Sequence, residues 1–205
     1  MQGYIININK VNDEDLIVTI LTQNRIYTSY RFYGARHSTI NLGYKIDFEL
    51  ESSLKSDLPR LKDLLQISYP WIFNQSKLTN WQLFASLLYQ HLKDIESIEE
   101  SYYLLLERLS HRLIKQNSKR AIIEAYIYLC EIEGRLHTDY ECLICQNTIT
   151  DQTIVVRGFA LLHKGCGAGS SYNIDLIKEL FEEKTTINFS NKQIEQLWKI
   201  IKLGL

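Results

Sequence analysis

The chain has 205 residues, of which 45% are hydrophobic, so it can bury the core of one large domain or of two to three small ones. Its formal net charge of −1 means that any nucleic-acid binding must come from a local patch and not from an overall basic charge. The sequence shows no signal peptide and no apolar run approaching the roughly 20 residues of a bilayer span. We therefore expect a cytosolic protein whose thiols stay reduced.

The first 50 residues show the patterns of short strands. Apolar and charged residues alternate over residues 44–51, which is the period of a strand with one face in water. Residues 16–20 repeat this pattern more weakly, and residues 26–33 are rich in β-branched and aromatic side chains. This spacing predicts a small barrel or sandwich. The ambiguous segment 58–69 could close a barrel as a fifth strand.

The pattern becomes helical after Pro70. Thr79 and Gln82 have the spacing of a capping box ahead of a helix, and residues 97–137 predict one or two helices with a break near Asn117. Residues 138–170 differ, because they combine cysteine pairs, glycines and one short β-like stretch. Helices return after residue 173, and Ser190 with Gln193 forms a second capping-box pattern.

Two pairs of metal-binding side chains lie in residues 138–170. The pattern C-x2-C is followed by H-x2-C, and 17 residues separate the pairs, the interval of ribbon-type zinc sites. A two-residue gap in a tight turn points two side chains to one side, and two such turns complete a tetrahedral shell. The sequence therefore predicts one structural zinc ion, held by Cys142, Cys145, His163 and Cys166.

Other interpretations of these residues remain open. The thiols could be unrelated, but a redox C-x2-C site would require one pair and a thioredoxin-like context. Four protein ligands leave no open position, which disfavours a catalytic zinc. His137 is close enough to Cys142 to compete with His163 as a ligand, and Cys130, in an apolar helical stripe, is expected in the core.

Cations and aromatic residues alternate in the β region. Single-stranded nucleic acid is bound by such a combination, in which charges follow the phosphates and rings stack on the bases, although about half of these rings must face the core instead. The candidate DNA-binding residues are Arg25, Arg31, Arg36, His37 and Lys45, and the aromatic residues between them are Tyr27, Tyr30, Phe32, Tyr33 and Tyr44.

A second basic group lies in the helical region. Its members share one helical face if the helix runs unbroken across Asn117. This stripe is either a solvated helix face or a surface for phosphates or an acidic peptide. It consists of Arg108, Arg112, Lys115 and Lys119.

The order of these features resembles the RecO family of recombination mediators. The sequence segments that carry the resemblance are GYII at 3–6, DLIVTILT at 15–22 and YGARHS at 33–38. Predicted helices follow them, and the two zinc-binding pairs lie within the helical region. His37 stands where that family commonly has Lys, and His163 stands where it commonly has Cys. The second change preserves a valid zinc ligand, whereas the first weakens a cation near DNA.

The resemblance implies a non-enzymatic DNA-repair factor of the α+β class. It implies an OB-fold barrel over residues 1–75, a helical domain over 76–137 and 171–205, and an inserted zinc module over 138–170. Such a protein would bind single- and double-stranded DNA, anneal complementary strands, and bind the acidic tail of single-stranded-DNA-binding protein (SSB). With RecR it would help to load RecA onto SSB-coated DNA, in the cytoplasm and associated with the nucleoid.

Two further functional classes remain as alternatives. A zinc-ribbon adaptor in transcription or RNA processing would bind RNA through the barrel and prefer it to DNA of equal length. A zinc hydrolase would need an open metal position, which the four-ligand pattern disfavours. The sequence contains no nucleophile elbow, P-loop, HExxH or dinucleotide fingerprint.

Overall fold

The computed structural model describes residues 1–36, 39–52 and 57–205. The chain divides into two compact units, Met1–Lys115 and Gln116–Leu205. Each unit has its own sheet and its own helices.

The first unit begins with a closed five-stranded barrel. Its strand order is β1-β2-β3-β5-β4, and β4 pairs with β1 to complete the ring. All of the pairings are antiparallel except that of β3 with β5, which is parallel and pairs Tyr30 with Arg60 within the part of the chain that the structure describes. The prediction of a barrel closed by a fifth strand is confirmed. The strands are β1 (Gln2–Val11), β2 (Asp15–Leu21), β3 (Ile26–Arg31), β4 (Lys45–Glu51) and β5 (Arg60–Ile67).

Aliphatic side chains and one phenylalanine fill the barrel interior, as the alternating pattern predicts. Leu16, Val18 and Ile20 of β2 point inward, and Ile46 and Phe48 do so from β4. Burial of these side chains in the barrel interior supplies the main stabilisation of the barrel. It contributes about 25 cal/mol for each Å² of apolar surface removed from water.

Two helices complete the first unit, α1 (Gln75–His91) and α2 (Glu100–Lys115). The predicted capping box at Thr79 is wrong, because α1 begins one turn earlier. Asn74 caps α1 by accepting a hydrogen bond of 3.1 Å from the Lys77 backbone N–H. The Trp81 indole of α1 donates to the Gly43 carbonyl at 2.7 Å. Gly43 has φ +82°, and a Cβ atom there would collide with that indole, so the position requires glycine.

A buried polar network joins the barrel to α2. The Lys45 ammonium of β4 lies 2.6 Å from the Glu107 carboxylate of α2, and the Tyr4 hydroxyl of β1 donates to the same carboxylate at 2.6 Å. The Tyr4 hydroxyl also lies 2.9 Å from that of Tyr69. Burial opposes the charged forms of Lys45 and Glu107, but their mutual hydrogen bond raises the pKa of the lysine and lowers that of the glutamate.

The second unit contains three helices and a small antiparallel sheet of order β7-β6-β8. The capping box of Ser190 and Gln193 is confirmed, and Asn173 also caps a helix. Glu124 is buried and accepts hydrogen bonds from the Thr186 backbone N–H and hydroxyl, at 2.9 and 2.7 Å. The elements are α3 (Ser118–Ile132), β6 (Gln152–Val155), β7 (Leu161–His163), β8 (Ser171–Asn173), α4 (Ile174–Glu183) and α5 (Asn191–Ile201).

The fold class is as predicted, with a closed N-terminal barrel followed by a helical region. The compact units differ from the predicted domains, because α1 and α2 group with the barrel and not with α3 to α5. The predicted helix break is present, since α2 ends at Lys115 and Asn117 caps α3. Within the described residues, no helix is long and apolar enough to cross a membrane.

Replacing Glu107 with Ala should destabilise the first unit by about 3 kcal/mol, because it leaves the Lys45 ammonium buried without its carboxylate. Urea denaturation followed by circular dichroism would measure this loss. Lys62→Ala is the matched control, since Lys62 pairs with Glu51 on the exposed barrel surface and such pairs contribute less than about 1 kcal/mol.

The stability of the first unit should also depend on pH through the carboxylate of Glu107. Because folding lowers the pKa of Glu107 below its ordinary value of 4.5, the stabilisation is present above that pH and is lost as the pH falls through the folded pKa. Glu107→Gln should remove this part of the acid sensitivity. Equal losses of stability in Glu107→Ala and Lys62→Ala would contradict the role assigned to the network.

Candidate metal centre and nucleic-acid interface

Two tight turns bring the four predicted ligands together. In the first turn, the Gln146 backbone N–H donates to the Cys142 carbonyl at 2.8 Å, which folds Cys145 back towards Cys142. The Leu143 N–H donates to the Leu161 carbonyl at 2.9 Å and so attaches this turn to β7. His163 ends β7, and in the second turn the Cys166 N–H donates to the His163 carbonyl at 2.9 Å.

The ligand atoms of Cys142, Cys145, His163 and Cys166 all lie within 4.8 Å of one another. The Cys145 sulfur is 3.3 Å from Nδ1 of His163. The opposite ring nitrogen, Nε2, lies 3.3 Å from the Thr148 carbonyl oxygen, to which it donates when it carries the proton. This contact leaves Nδ1 as the metal-binding atom and orients the ring, as outer carbonyls do for metal-binding histidines.

The electrostatics of the cluster act in opposite directions on Cys142 and Cys166. Burial opposes ionisation of Cys142, but the backbone N–H groups of Cys145, His163 and Ile144 lower its pKa to about 5. Hydrogen bonds with Cys142 and Cys145 raise the pKa of His163. The pKa of Cys166 rises to about 11, first because of its hydrogen bond with Cys145. Crowding of three sulfurs in this way is unfavourable without a cation between them.

The donor set therefore fits a metal ion. Three sulfurs and one imidazole nitrogen at these separations can hold a four-coordinate ion with no open position, which is the form of a structural site. The rival ligand His137 is not part of the cluster, and Cys130 is buried in α3 as predicted. The sequence did not identify the Thr148 carbonyl, because a backbone group leaves no signal in residue type.

His163→Ala should reduce the metal content of the purified protein well below one ion per chain, because the shell loses its nitrogen ligand. The matched control His137→Ala should keep about one ion per chain, and Cys130→Ala should do the same. Elemental analysis would measure this content. Loss of the ion in the controls and its retention in His163→Ala would exclude this ligand set.

The predicted DNA-binding cations differ in exposure. Arg25 is exposed and lies 3.2 Å from Glu96, beside a groove of about 600 Å³ between β3 and the α1–α2 connection. Arg36 is 64% exposed and pairs with Glu14. Arg31 is half-buried and donates to the Leu61 carbonyl at 2.8 Å. Arg25 and Arg36 are therefore accessible to a phosphate, and Arg31 is partly so.

The structure corrects the placement of Lys45. Its side chain is 8% exposed, and its ammonium faces Glu107 beneath α2. A cation that is buried and paired cannot follow a phosphate backbone, so we remove Lys45 from the DNA-binding set. The alternating pattern of β4 missed this, because it does not show that α2 covers that strand. His37 lies outside the described residues.

The basic stripe is also corrected. Arg108, Arg112 and Lys115 are exposed on α2, but α2 ends at Lys115, and Lys119 lies on α3. Lys119 binds Glu195 of α5 at 2.5 Å. The unbroken helical face that would join all four residues is therefore absent, and the candidate partner surface is reduced to the three residues of α2.

Comparison with known proteins supports the resemblance. Residues 1–72, about a third of the chain, match the family model described as RecO N terminal. The match begins one residue before β1 and ends five residues beyond β5, so it includes all five strands of the barrel. No curated protein matches the chain. Over residues 1–72 the chain is therefore similar to the N-terminal region of RecO proteins, and the closed barrel lies within those residues.

Proposed function

We propose that the chain is a recombination mediator that binds single- and double-stranded DNA through its barrel. The observation that carries this proposal is a closed barrel with a RecO N-terminal match and accessible guanidinium groups at Arg25 and Arg36. Barrels of this topology bind oligonucleotides on strands 2 and 3 and the loops beside them. Arg25 directly precedes β3, and Arg36 follows its last residue by five positions.

Binding through phosphates gives affinity without sequence preference. The chain has no overall positive charge, so binding depends on these local guanidinium groups and falls steeply with salt. A protein that holds two strands by their phosphates leaves the bases free to pair, which is the requirement for annealing complementary strands. Nothing in this role needs a catalytic group, in keeping with the non-enzymatic RecO family.

We also propose that α2 receives the acidic tail of SSB. Arg108, Arg112 and Lys115 follow one another along its exposed side, and the two in the last turn, Arg112 and Lys115, also complement the negative end of the helix dipole. Contact with this tail would bring the protein to SSB-coated DNA, where with RecR it would help to load RecA.

The metal ion in the second unit is proposed to be zinc with a structural role. Three thiolates and one imidazole form a soft donor set, which favours Zn²⁺ over Mg²⁺ or Ca²⁺. The short strands β6, β7 and β8 provide little apolar surface of their own, so the ion would supply part of the folding free energy of that region.

Arg36→Ala should weaken binding of a fluorescent single-stranded oligonucleotide and reduce the slope of log affinity against log salt by about 0.7, because one phosphate contact is lost. Arg25→Ala should behave similarly. Lys178→Ala is the control, since it removes one exposed cation from the second unit, and its slope should not change. Anisotropy titrations at increasing salt would measure both. Binding that is absent or insensitive to salt would exclude the proposal.

The double variant Arg112→Ala, Lys115→Ala should weaken binding of a synthetic SSB-tail peptide at least about tenfold, since two charge-assisted contacts are removed. Lys119→Ala is the matched control. Its cation lies on α3 and is paired with Glu195, so peptide affinity should stay unchanged. Equal weakening by Lys119→Ala, measured by calorimetry, would show that α2 alone is not the binding surface.

A further inference from the structure

Two aromatic side chains are exposed at the end of β3. Phe32 is 46% exposed and Tyr33 is 58% exposed, although rings of this size are usually covered in a folded domain. They lie where β3 ends, next to the β1–β2 turn and to the start of β5 at Arg60. This end of an OB-type barrel is the region that takes oligonucleotides.

Each exposed ring is accompanied by a guanidinium. The Arg60 Cζ atom lies 5.2 Å from the ring centre of Phe32, and the Arg36 Cζ atom lies 5.1 Å from that of Tyr33. The ring of Tyr30 packs against that of Phe32 in an edge-to-face orientation, with 4.8 Å between the ring centres. Cations beside exposed rings complement a ligand that has both flat apolar faces and negative charge.

One carboxylate holds this arrangement. Oδ2 of Asp15 accepts from the Tyr30 hydroxyl at 2.5 Å, and Oδ1 accepts from the Tyr33 backbone N–H at 2.8 Å. Those hydrogen bonds, that of Tyr30 first, lower the pKa of Asp15. Tyr33 has φ +53°, a conformation that L residues rarely adopt, and the hydrogen bond from its backbone N–H to Asp15 stabilises the chain in that conformation.

We propose that Phe32 and Tyr33 form a stacking platform for the unpaired bases of single-stranded DNA, with Arg36 and Arg60 on the neighbouring phosphates. This inference rests on the proposed DNA binding and adds a base contact to it. Bases in a duplex are stacked on one another and cannot lie on these rings, whereas those of a single strand can. The platform therefore makes the barrel prefer single-stranded over double-stranded DNA.

The test compares oligothymidylate with an abasic oligonucleotide of equal length, which has the same phosphates but no bases. The wild-type protein should bind the thymidylate at least about tenfold more tightly, as expected for stacking of one or more bases. The double variant Phe32→Ala, Tyr33→Ala should bind both oligonucleotides with affinities within about twofold of each other. Its affinity for the abasic strand should equal that of the wild type, which also shows that the variant is folded.

Leu65→Ala is the matched control, since Leu65 is an apolar side chain of β5 that is 67% exposed and lies outside the platform. It should keep the preference for thymidylate. Asp15→Ala should reduce the preference without weakening abasic binding, because it frees the rings but removes no cation. Such a result would identify Asp15 as a positioning residue.

The possible failures are distinguishable. Equal binding of the two oligonucleotides by the wild-type protein would overturn the platform and leave phosphate binding intact. A preference that survives Phe32→Ala, Tyr33→Ala would place the base contact elsewhere and overturn the assignment. Absence of binding to either oligonucleotide would overturn the proposed function itself.

Discussion

A lysine and a glutamate taken largely out of water, Lys45 and Glu107, determine how α2 lies on the barrel. Burying this pair costs free energy. The cost is offset only while the ammonium and the carboxylate remain in contact and the Tyr4 hydroxyl also donates to the carboxylate. The indole of Trp71 donates at 2.7 Å to the carbonyl of Ser110, one turn further along α2. If α2 were held by apolar contacts alone, it could shift along the barrel by one helical turn. These directional hydrogen bonds and the ion pair prevent such a shift. The exposed cations of α2 therefore have a defined position on the first unit.

The two units are stabilised by different means. In the first unit the barrel encloses an apolar core, and polar contacts orient the helices around it. The small sheet of the second unit has strands of three or four residues, and its turns carry the cysteines. An ion bound to the four side chains, as proposed, would replace apolar contacts that such short strands cannot make. The proposed role of the metal centre is therefore structural, and the proposed DNA- and peptide-binding surfaces lie on the first unit.

The sequence predicted most reliably what depends on local spacing. Alternation in residues 44–51 predicted a barrel strand, and the C-x2-C and H-x2-C pairs predicted a cluster that the structure does bring together. The sequence was misleading for residues whose exposure or helix membership is decided by tertiary contacts and helix caps. Lys45 has the pattern of an exposed strand residue, but α2 covers it. Lys119 has the right spacing for the basic stripe, but the Asn117 cap ends the helical continuity. The role of Asp15 follows only from the distances.

The parallel pairing of β3 with β5 affects where the barrel can open. Among the described residues, Tyr30 and Arg60 are the one register pair there, whereas β1 and β2 pair along seven positions. Among the described residues this is the strand pairing with the fewest register pairs, so we expect it to open more readily than the longer ladders. Phe32 and Arg60 stand on its two sides. A DNA strand that contacts both residues would bind the closed barrel more tightly than the open one. Its binding would therefore stabilise the closed barrel.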